Sequence, residues 1–340
     1  MKKRDRILIV GPNWMGDMLF MTPAIRAIRK AYPESRIAAL VPPRGTDLLA
    51  RNPNLNEVIP WQESRGPAGL THWFSLTARI RAGRFDTVFL FHKSASRAAM
   101  AALAGIPARI GERNWKRSFL LTASVPPAAK DSISKSESFL RVIEADGVPA
   151  DGRQYEVGLS PEDHFAAETL LKEWGITNGE RLVALHAGAN WRLKRWPAES
   201  FARLGDELSR RFGARVLFIG GTGDLPLVEK ILSGMKSRPL VAAGKTTFRE
   251  LGALLTRARL LVSNDSGPLH LGIAVGTPVI ALFGPTSPEL TGPPPGSNAV
   301  TLVGSIGCPV PCYQQRCPAN LCMSQISVEQ VAQAAEKFLR

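Results

Sequence analysis

The segment 263–270, with the sequence SNDSGPLH, concentrates polar side chains between a predicted strand and a predicted helix. Small residues such as Ser266 and Gly267 let backbone N–H groups approach an anion closely, and the dipole of the following helix favours negative charge. His270 follows Ser266 by one helical turn and shares its helix face. Asp265 could accept hydrogen bonds from a ribose or sugar hydroxyl. The pattern predicts an anion-binding site, and the open alternative is a capped turn with a buried histidine.

A second polar segment, 187–197 with the sequence AGANWRLKRWP, follows the predicted strand 182–186. It places three cations, Arg192, Lys194 and Arg195, between two tryptophans. Cations at the end of a strand could hold a pyrophosphate group. The alternative is a basic surface loop in which the tryptophans pack as a hinge.

A third segment, 220–224 with the sequence GGTGD, follows the predicted strand 215–219. This glycine-rich turn could cradle part of a nucleotide, with Asp224 at its end. Glycine-rich turns between a strand and a helix occur in α/β folds of many functions, so the segment by itself is a weak indicator.

The loop 11–17, GPNWMGD, follows the first predicted strand and precedes a helix predicted over 18–31. The spacing of Gly11 and Gly16 resembles a phosphate-binding P-loop, but Asp17 stands where that loop requires lysine. A carboxylate there would repel terminal phosphates, which excludes a nucleotide triphosphatase. Two interpretations of Asp17 remain: it caps the helix, or it is a general base facing a ligand.

Short β-branched runs alternate with longer amphipathic runs along the chain, and the alternation restarts after residue 150. This arrangement predicts two α/β halves, each with a mostly parallel sheet covered by helices. Ligands in such folds bind beyond the carboxyl ends of the strands. All of the polar segments follow predicted strands, so we expect them to line ligand sites.

The chain has 340 residues, which suggests two domains, and a net charge of +14. Residues 1–150 carry 23 Lys+Arg and 12 Asp+Glu, a net charge of +11, whereas residues 151–340 carry 20 and 17, a net charge of +3. The basic first half indicates an anionic partner or a solvated basic surface.

Zinc-finger, basic-zipper and RNP patterns are missing, so we do not expect nucleic-acid binding. The sequence has neither a signal peptide nor an apolar run of about 18 residues, and we expect a cytoplasmic protein.

The cysteines all fall within one short segment near the end of the sequence. They are Cys308, Cys312, Cys317 and Cys322. Their spacing differs from common zinc and iron–sulfur patterns. Reduced structural thiols, a structural metal site and disulfides all remain open.

Together the segments 11–18, 194–197, 264–270 and 283–288 resemble glycosyltransferase family 9, the heptosyltransferases of lipopolysaccharide inner-core synthesis. The likeness spans nearly the whole chain and is greatest to members that add the second heptose. It implies a GT-B fold, an α/β architecture of two Rossmann-like domains whose parallel sheets face each other across a cleft. Residues 1–160 would bind the acceptor and residues 161–325 the nucleotide-sugar donor. The helix in 326–340 would pack back on the first domain.

The resemblance also implies roles for individual residues. Asp17 would be the general base, and Lys194 would stabilise the leaving diphosphate. Asn13 and Gly16 would contact the acceptor. The implied donor-binding residues are Asp224, Arg195, Asp265, Ser266, Gly267 and His270.

The family is inverting and metal-independent, so catalysis needs no cofactor, and any metal at the cysteines would be structural. The implied partners are ADP-heptose and the anionic lipid A–Kdo core, with peripheral contact at the cytoplasmic face of the inner membrane. Two alternatives stay open. One is a related GT-B glycosyltransferase with another nucleotide sugar or acceptor, and the other is a non-catalytic protein of the same fold that binds anionic glycan.

Overall fold

In residues 3–62, 66–177, 179–314 and 316–340, which a computed structural model describes, the strands form two six-stranded parallel sheets. The first sheet contains β1 (Arg6–Val10), β2 (Arg36–Val41), β3 (Glu57–Pro60), β4 (Thr87–Leu90), β5 (Ala108–Glu112) and β6 (Ala123–Val125). The second contains β7 (Leu182–His186), β8 (Arg215–Phe218), β9 (Leu240–Val241), β10 (Leu260–Asn264), β11 (Val279–Phe283) and β12 (Ala299–Val303).

Helices connect the strands within each half. In the first half they are α1 (Met15–Phe20), α2 (Thr22–Ala31), α3 (Pro43–Leu49), α4 (Pro67–Ala82), α5 (Ala95–Leu103) and α6 (Lys135–Glu144). In the second half they are α7 (Pro161–Glu173), α8 (Ala198–Phe212), α9 (Leu225–Leu232), α10 (Phe248–Thr256), α11 (Gly267–Ala274), α12 (Pro288–Thr291), α13 (Leu321–Ser324) and α14 (Val328–Leu339). Among the helices described, none combines the length and the apolar character that crossing a bilayer requires.

Both sheets have the same strand order. The first is arranged β3-β2-β1-β4-β5-β6. The second, taken from the edge that starts with β9, is arranged β9-β8-β7-β10-β11-β12, so corresponding strands of the two halves occupy the same positions. The order reverses between β1 and β4 and between β7 and β10, and these are the switch points where ligands bind in such folds. Central strands such as β10 are buried along their whole length, as expected for strands covered on both faces. The predicted α/β class with Rossmann-like sheets is confirmed.

The helix predicted over 18–31 is in fact two helices, α1 and α2. The first begins at Met15, so Gly16 and Asp17 are already helical. The second has Pro23 in its first turn, and a proline there cannot continue the preceding helix because it lacks the backbone N–H. Ser160 is the N-cap of α7, and its side chain accepts a hydrogen bond from the N–H of Asp163.

The chain divides into two compact units, Met1–Gly158 and Leu159–Arg340. The division lies close to the predicted limit at 160. The expected placement of the final helix is wrong, because α14 belongs to the second unit and packs against α8, β10 and β11. Its apolar face, including Val331, Ala335 and Phe338, is buried in the same core as Trp196 and Phe201. Apolar side chains at this helical spacing are stabilised by burial in the core that lies beside them.

Candidate active site

At the switch point of the second sheet, β7 ends at His186 and β10 ends at Asn264. The register pairs Ser263 with His186, so the loops that follow these neighbouring strands leave the sheet side by side. Both His186 and Asn264 are buried, at 3% and 0% exposure. The three polar segments of the second half therefore meet at this edge.

Asp265 lies at the centre of the cluster and is only 4% exposed. Its Oδ2 accepts hydrogen bonds from Lys194 Nζ at 2.7 Å and from Thr291 Oγ1 at 3.2 Å. Its Oδ1 lies 3.6 Å from His270 Nε2. Burial alone would raise the pKa of Asp265, but the adjacent His270 ring and the charge of Lys194 outweigh burial and hold that pKa well below its usual range. Asp265 is thus a permanent carboxylate that fixes the Lys194 ammonium at the sheet edge.

His186 lies between two further polar side chains of the site, Ser266 and Asp224. Its Nδ1 lies 3.0 Å from Ser266 Oγ, and its Nε2 lies 3.7 Å from Asp224 Oδ2. Burial would raise the pKa of Asp224, but the adjacent His186 ring and the hydrogen bond from the N–H of Gly221 outweigh burial and lower that pKa. A Cβ at Gly188 would collide with this carboxylate, so glycine is needed there for the close approach. The glycine-rich turn therefore contributes Asp224 to the site.

The loop 187–197 is tied to β10 by hydrogen bonds from an amide side chain. Asn264 accepts from the Trp196 N–H at 3.0 Å and donates to the Ala187 carbonyl at 2.8 Å. Arg195 donates to the Ala189 carbonyl through Nε at 3.0 Å and Nη2 at 2.8 Å. Trp196 is 1% exposed and part of the hydrophobic core, so this ring does not belong to the loop surface.

The first turn of α11 has backbone amides that its N-cap side chain does not satisfy. Ser266 occupies the N-cap but makes no capping hydrogen bond, because its hydroxyl faces His186 and Ser263 instead. Gly267 and Pro268 follow, and glycine places no side chain of its own beside its backbone N–H. Helix N-termini of this kind bind anions. His270 lies one turn further along the same helix and is 2% exposed.

In the first unit, the loop after β1 is held by a buried arginine. Arg97 of α5 is 2% exposed and donates to the Gly11 carbonyl at 2.8 Å and to Asn13 Oδ1 at 2.6 Å. Its guanidinium also lies 4.1 Å from the ring centre of Trp61. Asp17 is in the first turn of α1, whose N-cap is Trp14, so the interpretation of Asp17 as the N-cap is wrong.

A second buried arginine lies behind the ends of β4 and β5. Arg117 is fully buried and donates to the Glu112 carbonyl at 2.8 Å and to the His92 carbonyl. Burial and the charges of Arg97 and Arg117 lower the pKa of His92 to about 4. The carboxyl edge of the first sheet is therefore strongly positive, and His92 adds no charge at neutral pH.

Several of these residues were not predicted. His186, Thr291 and Arg97 carry contacts that the sequence does not reveal. A partial signal exists for two of them. His186 is the polar end of an otherwise apolar strand, and Arg97 is the single cation within the alanine-rich helix α5.

The cysteines offer no support for a metal site. In the part of the chain that the structure describes, no three His, Cys, Asp or Glu side chains are grouped so that they could hold a metal ion. All four cysteines are free thiols, so the disulfide alternative is not realised. The segment contacts the loop after β11 through the Cys312 N–H, which donates to the Pro285 carbonyl at 2.7 Å.

Comparisons with known proteins agree with this architecture. The pattern that defines glycosyltransferase family 9 (heptosyltransferase) matches residues 73–322. Lipooligosaccharide heptosyltransferase 2 of Haemophilus influenzae is 31% identical over 313 residues, which cover 87% of this chain and 88% of that protein. Lipopolysaccharide heptosyltransferase 3 of Escherichia coli is 29% identical over 336 residues, covering 95% and 96%.

Solved structures show the same fold. A family 9 glycosyl transferase from Veillonella parvula superposes with a TM-score of 0.86 at 28% identity, covering 98% of this chain and 97% of that one. The ADP-heptose LPS heptosyltransferase II of E. coli superposes with a TM-score of 0.82 at 24% identity, covering 98% of each. Two Rossmann-like units in this order define the GT-B fold. The chain belongs to glycosyltransferase family 9, the heptosyltransferases.

We predict that His92 makes the stability of the first unit pH-dependent. The unfolded side chain takes up a proton as pH falls through about 6.5, whereas the folded side chain does not until about pH 4. As pH decreases from about 6.5 to about 4, the free energy of unfolding should therefore fall by about 1–2 kcal/mol, after allowance for solvent screening at a half-buried group. Urea unfolding at about pH 7.5 and about pH 4.5 measures it. His92→Gln should remove that part of the pH dependence, and an unchanged slope would contradict the assignment.

Proposed function

We propose that the chain transfers heptose from ADP-heptose to the inner core of lipopolysaccharide, adding the second heptose to the first with inversion. The family membership supports heptosyl transfer, and relatives named heptosyltransferase 2 support the step. The observation that carries the proposal is the Lys194–Asp265–His270 cluster beside the open first turn of α11.

A nucleoside diphosphate fits this cluster by charge and by hydrogen bonding. The Lys194 ammonium has three N–H donors, and Asp265 accepts from one of them at 2.7 Å. The remaining donors are available to a phosphate oxygen, and the side chain is 23% exposed. The Gly267 N–H supplies a further donor at the helix N-terminus, and the Ser266 hydroxyl would exchange its contacts with His186 and Ser263 for one with a phosphate oxygen. We assign the diphosphate to these groups and to His270.

The nucleoside end would lie towards β8. Asp224 is a carboxylate with a lowered pKa at the end of the glycine-rich turn, and such a group accepts hydrogen bonds from ribose hydroxyls. Arg195 lies in the adjoining loop and contributes positive charge that helps to lower that pKa. These residues complete the donor-binding set.

Transfer forms a bond between an acceptor oxygen and the anomeric carbon of heptose, and breaks the bond from that carbon to the diphosphate. We assign Asp17 as the base that takes the proton of the acceptor hydroxyl. Negative charge builds on the departing ADP, and Lys194 stabilises it. Side chains and backbone dipoles supply both functions, so we propose that the reaction needs no metal or cofactor.

Asn13 and Gly16, which lie beside Asp17, would contact the acceptor. That acceptor carries phosphates and carboxylates on a lipid, and the first half of the chain has a net charge of +11. We therefore propose that the protein works in peripheral contact with the cytoplasmic face of the inner membrane.

The direct test is a transfer assay with purified protein. ADP-heptose should be consumed with a Kdo–lipid A acceptor that carries one heptose, and little should be consumed with the acceptor that carries none. Comparing these two acceptors measures which heptose is added. Use of another nucleotide sugar with no turnover of ADP-heptose would overturn the proposal.

Replacing Lys194 by methionine should lower kcat by about 10²–10³-fold, because charge developing on the diphosphate loses its nearest cation. The matched control is Lys230→Met, which removes an exposed lysine paired with Glu199 on the same unit. That control should keep wild-type turnover. A Lys194→Met enzyme with normal kcat would exclude a role in departure of the diphosphate.

Asp17→Asn should lower kcat by about 10²–10⁴-fold, since the amide cannot accept the acceptor proton. Calorimetric titration with ADP should give an unchanged affinity, because the change is in the first unit. Asp131→Asn makes the same isosteric change at an exposed position of that unit and serves as control. Near-normal turnover of Asp17→Asn would leave Asp17 with a structural role only.

A further inference from the structure

The loop 113–121, which follows β5, presents two large apolar rings to solvent. Trp115 is 86% exposed and Phe119 is 80% exposed, the two highest values among the exposed large hydrophobic side chains described. Isolated exposed apolar residues are common on protein surfaces. Two aromatic rings at this exposure within one short loop are unusual and indicate a surface that contacts a partner.

The rest of the loop is firmly held, so the exposure of these rings does not come from fraying. Arg117 is fully buried and anchors the loop centre to the Glu112 carbonyl at 2.8 Å. Asn114 donates to the Lys93 carbonyl at 3.1 Å, and its own carbonyl accepts from the Ser118 N–H at 3.0 Å. Leu120 and Leu121 pack against the hydrophobic core. The loop therefore projects Trp115 and Phe119 from a fixed base.

The charges around the rings are positive. Arg113 and Lys116 are exposed, and within the described ranges neither forms an ion pair. The Lys116 ammonium lies 4.8 Å from the ring centre of Trp115. Tryptophan flanked by cations is the composition that favours the interface of an anionic bilayer, where the ring enters the headgroup region and the cations meet phosphates.

The loop also lies at the carboxyl edge of the first sheet, where the loop after β1 lies. Because β1 and β5 are parallel in one sheet, the loops after them leave from the same edge. The loop after β1 contains Asn13 and the half-exposed Trp14, and the guanidinium of Arg44, from the helix after β2, lies 5.0 Å from the Trp14 ring centre.

We propose that loop 113–121 docks the first unit onto an anionic phospholipid bilayer, with Trp115 and Phe119 inserted among the headgroups and Arg113 and Lys116 on lipid phosphates. The choice of a bilayer as occupant rests on the proposed function, because the acceptor is lipid-linked. Binding to lipid is measured without donor or acceptor, so failure of the transfer assay and failure of this docking are separate outcomes.

The test is co-sedimentation of the full chain with vesicles of phosphatidylglycerol and phosphatidylethanolamine that contain no lipopolysaccharide. The double variant Trp115→Ser/Phe119→Ser should bind at least about tenfold more weakly, because two apolar rings no longer leave water. Binding of the wild type should also fall with added salt. The matched control is Phe165→Ser, since Phe165 is 74% exposed on α7, whose first turn carries Glu162 and Asp163. It should bind as the wild type does.

A second readout separates this role from the alternatives. With a deacylated, water-soluble acceptor the double variant should keep wild-type turnover and an unchanged melting temperature. Unchanged vesicle binding would overturn the proposal. Loss of turnover on the soluble acceptor would assign the rings to the glycan instead, and loss of self-association in light scattering would assign them to a second copy of the chain.

Discussion

The buried carboxylate of Asp265 is the constraint on which the donor-side arrangement depends. A buried charge is stable only when it is paired and hydrogen-bonded, and removing one partner of such a pair typically costs about 3–5 kcal/mol. Lys194 meets this requirement with an ion pair from a different segment, Thr291 adds a hydrogen bond, and the His270 ring lies 3.6 Å from the other carboxylate oxygen. The loop after β7 and the helix after β10 are therefore held together before any ligand arrives. A cation that is already positioned loses little freedom when a diphosphate binds.

The parallel sheets make this pairing possible. Every strand in a parallel sheet ends at the same edge, so segments that are 71 residues apart, such as those of Lys194 and Asp265, become neighbours. Asn264 and Trp196 reinforce the arrangement through a side-chain hydrogen bond in the core. In the first unit the buried charges are positive. Arg97 and Arg117 fix the loops after β1 and β5 by donating hydrogen bonds to backbone carbonyls. Negative charge thus organises the edge assigned to the donor, and positive charge organises the edge assigned to the acceptor.

Much of the fold could be predicted because the buried central strands are continuous apolar runs. Strands β1, β7 and β10 have that pattern and were predicted from it, and β11 is equally buried along its whole length. Strands β5, β6, β9 and β12 were not predicted: β6 and β9 have three and two residues, and β5 and β12 are only partly buried. The final helix was placed on the wrong unit because an apolar face indicates that a helix is buried but does not indicate which core covers it.

The sequence by itself determined the α/β class, the division into two units, the uneven charge and the polar segments at strand ends. These properties follow from local composition, periodicity and spacing, which do not need distant contacts. Only the tertiary structure decided that Asp265 pairs with Lys194, that His186 stands between Ser266 and Asp224, and that Arg97 holds Asn13. It also decided that Trp196 is buried while Trp115 faces solvent. The physical reason is that a hydrogen-bond partner or a burial depth is set by chain segments brought together by the sheets, and neither is encoded in the residue's own neighbours along the chain.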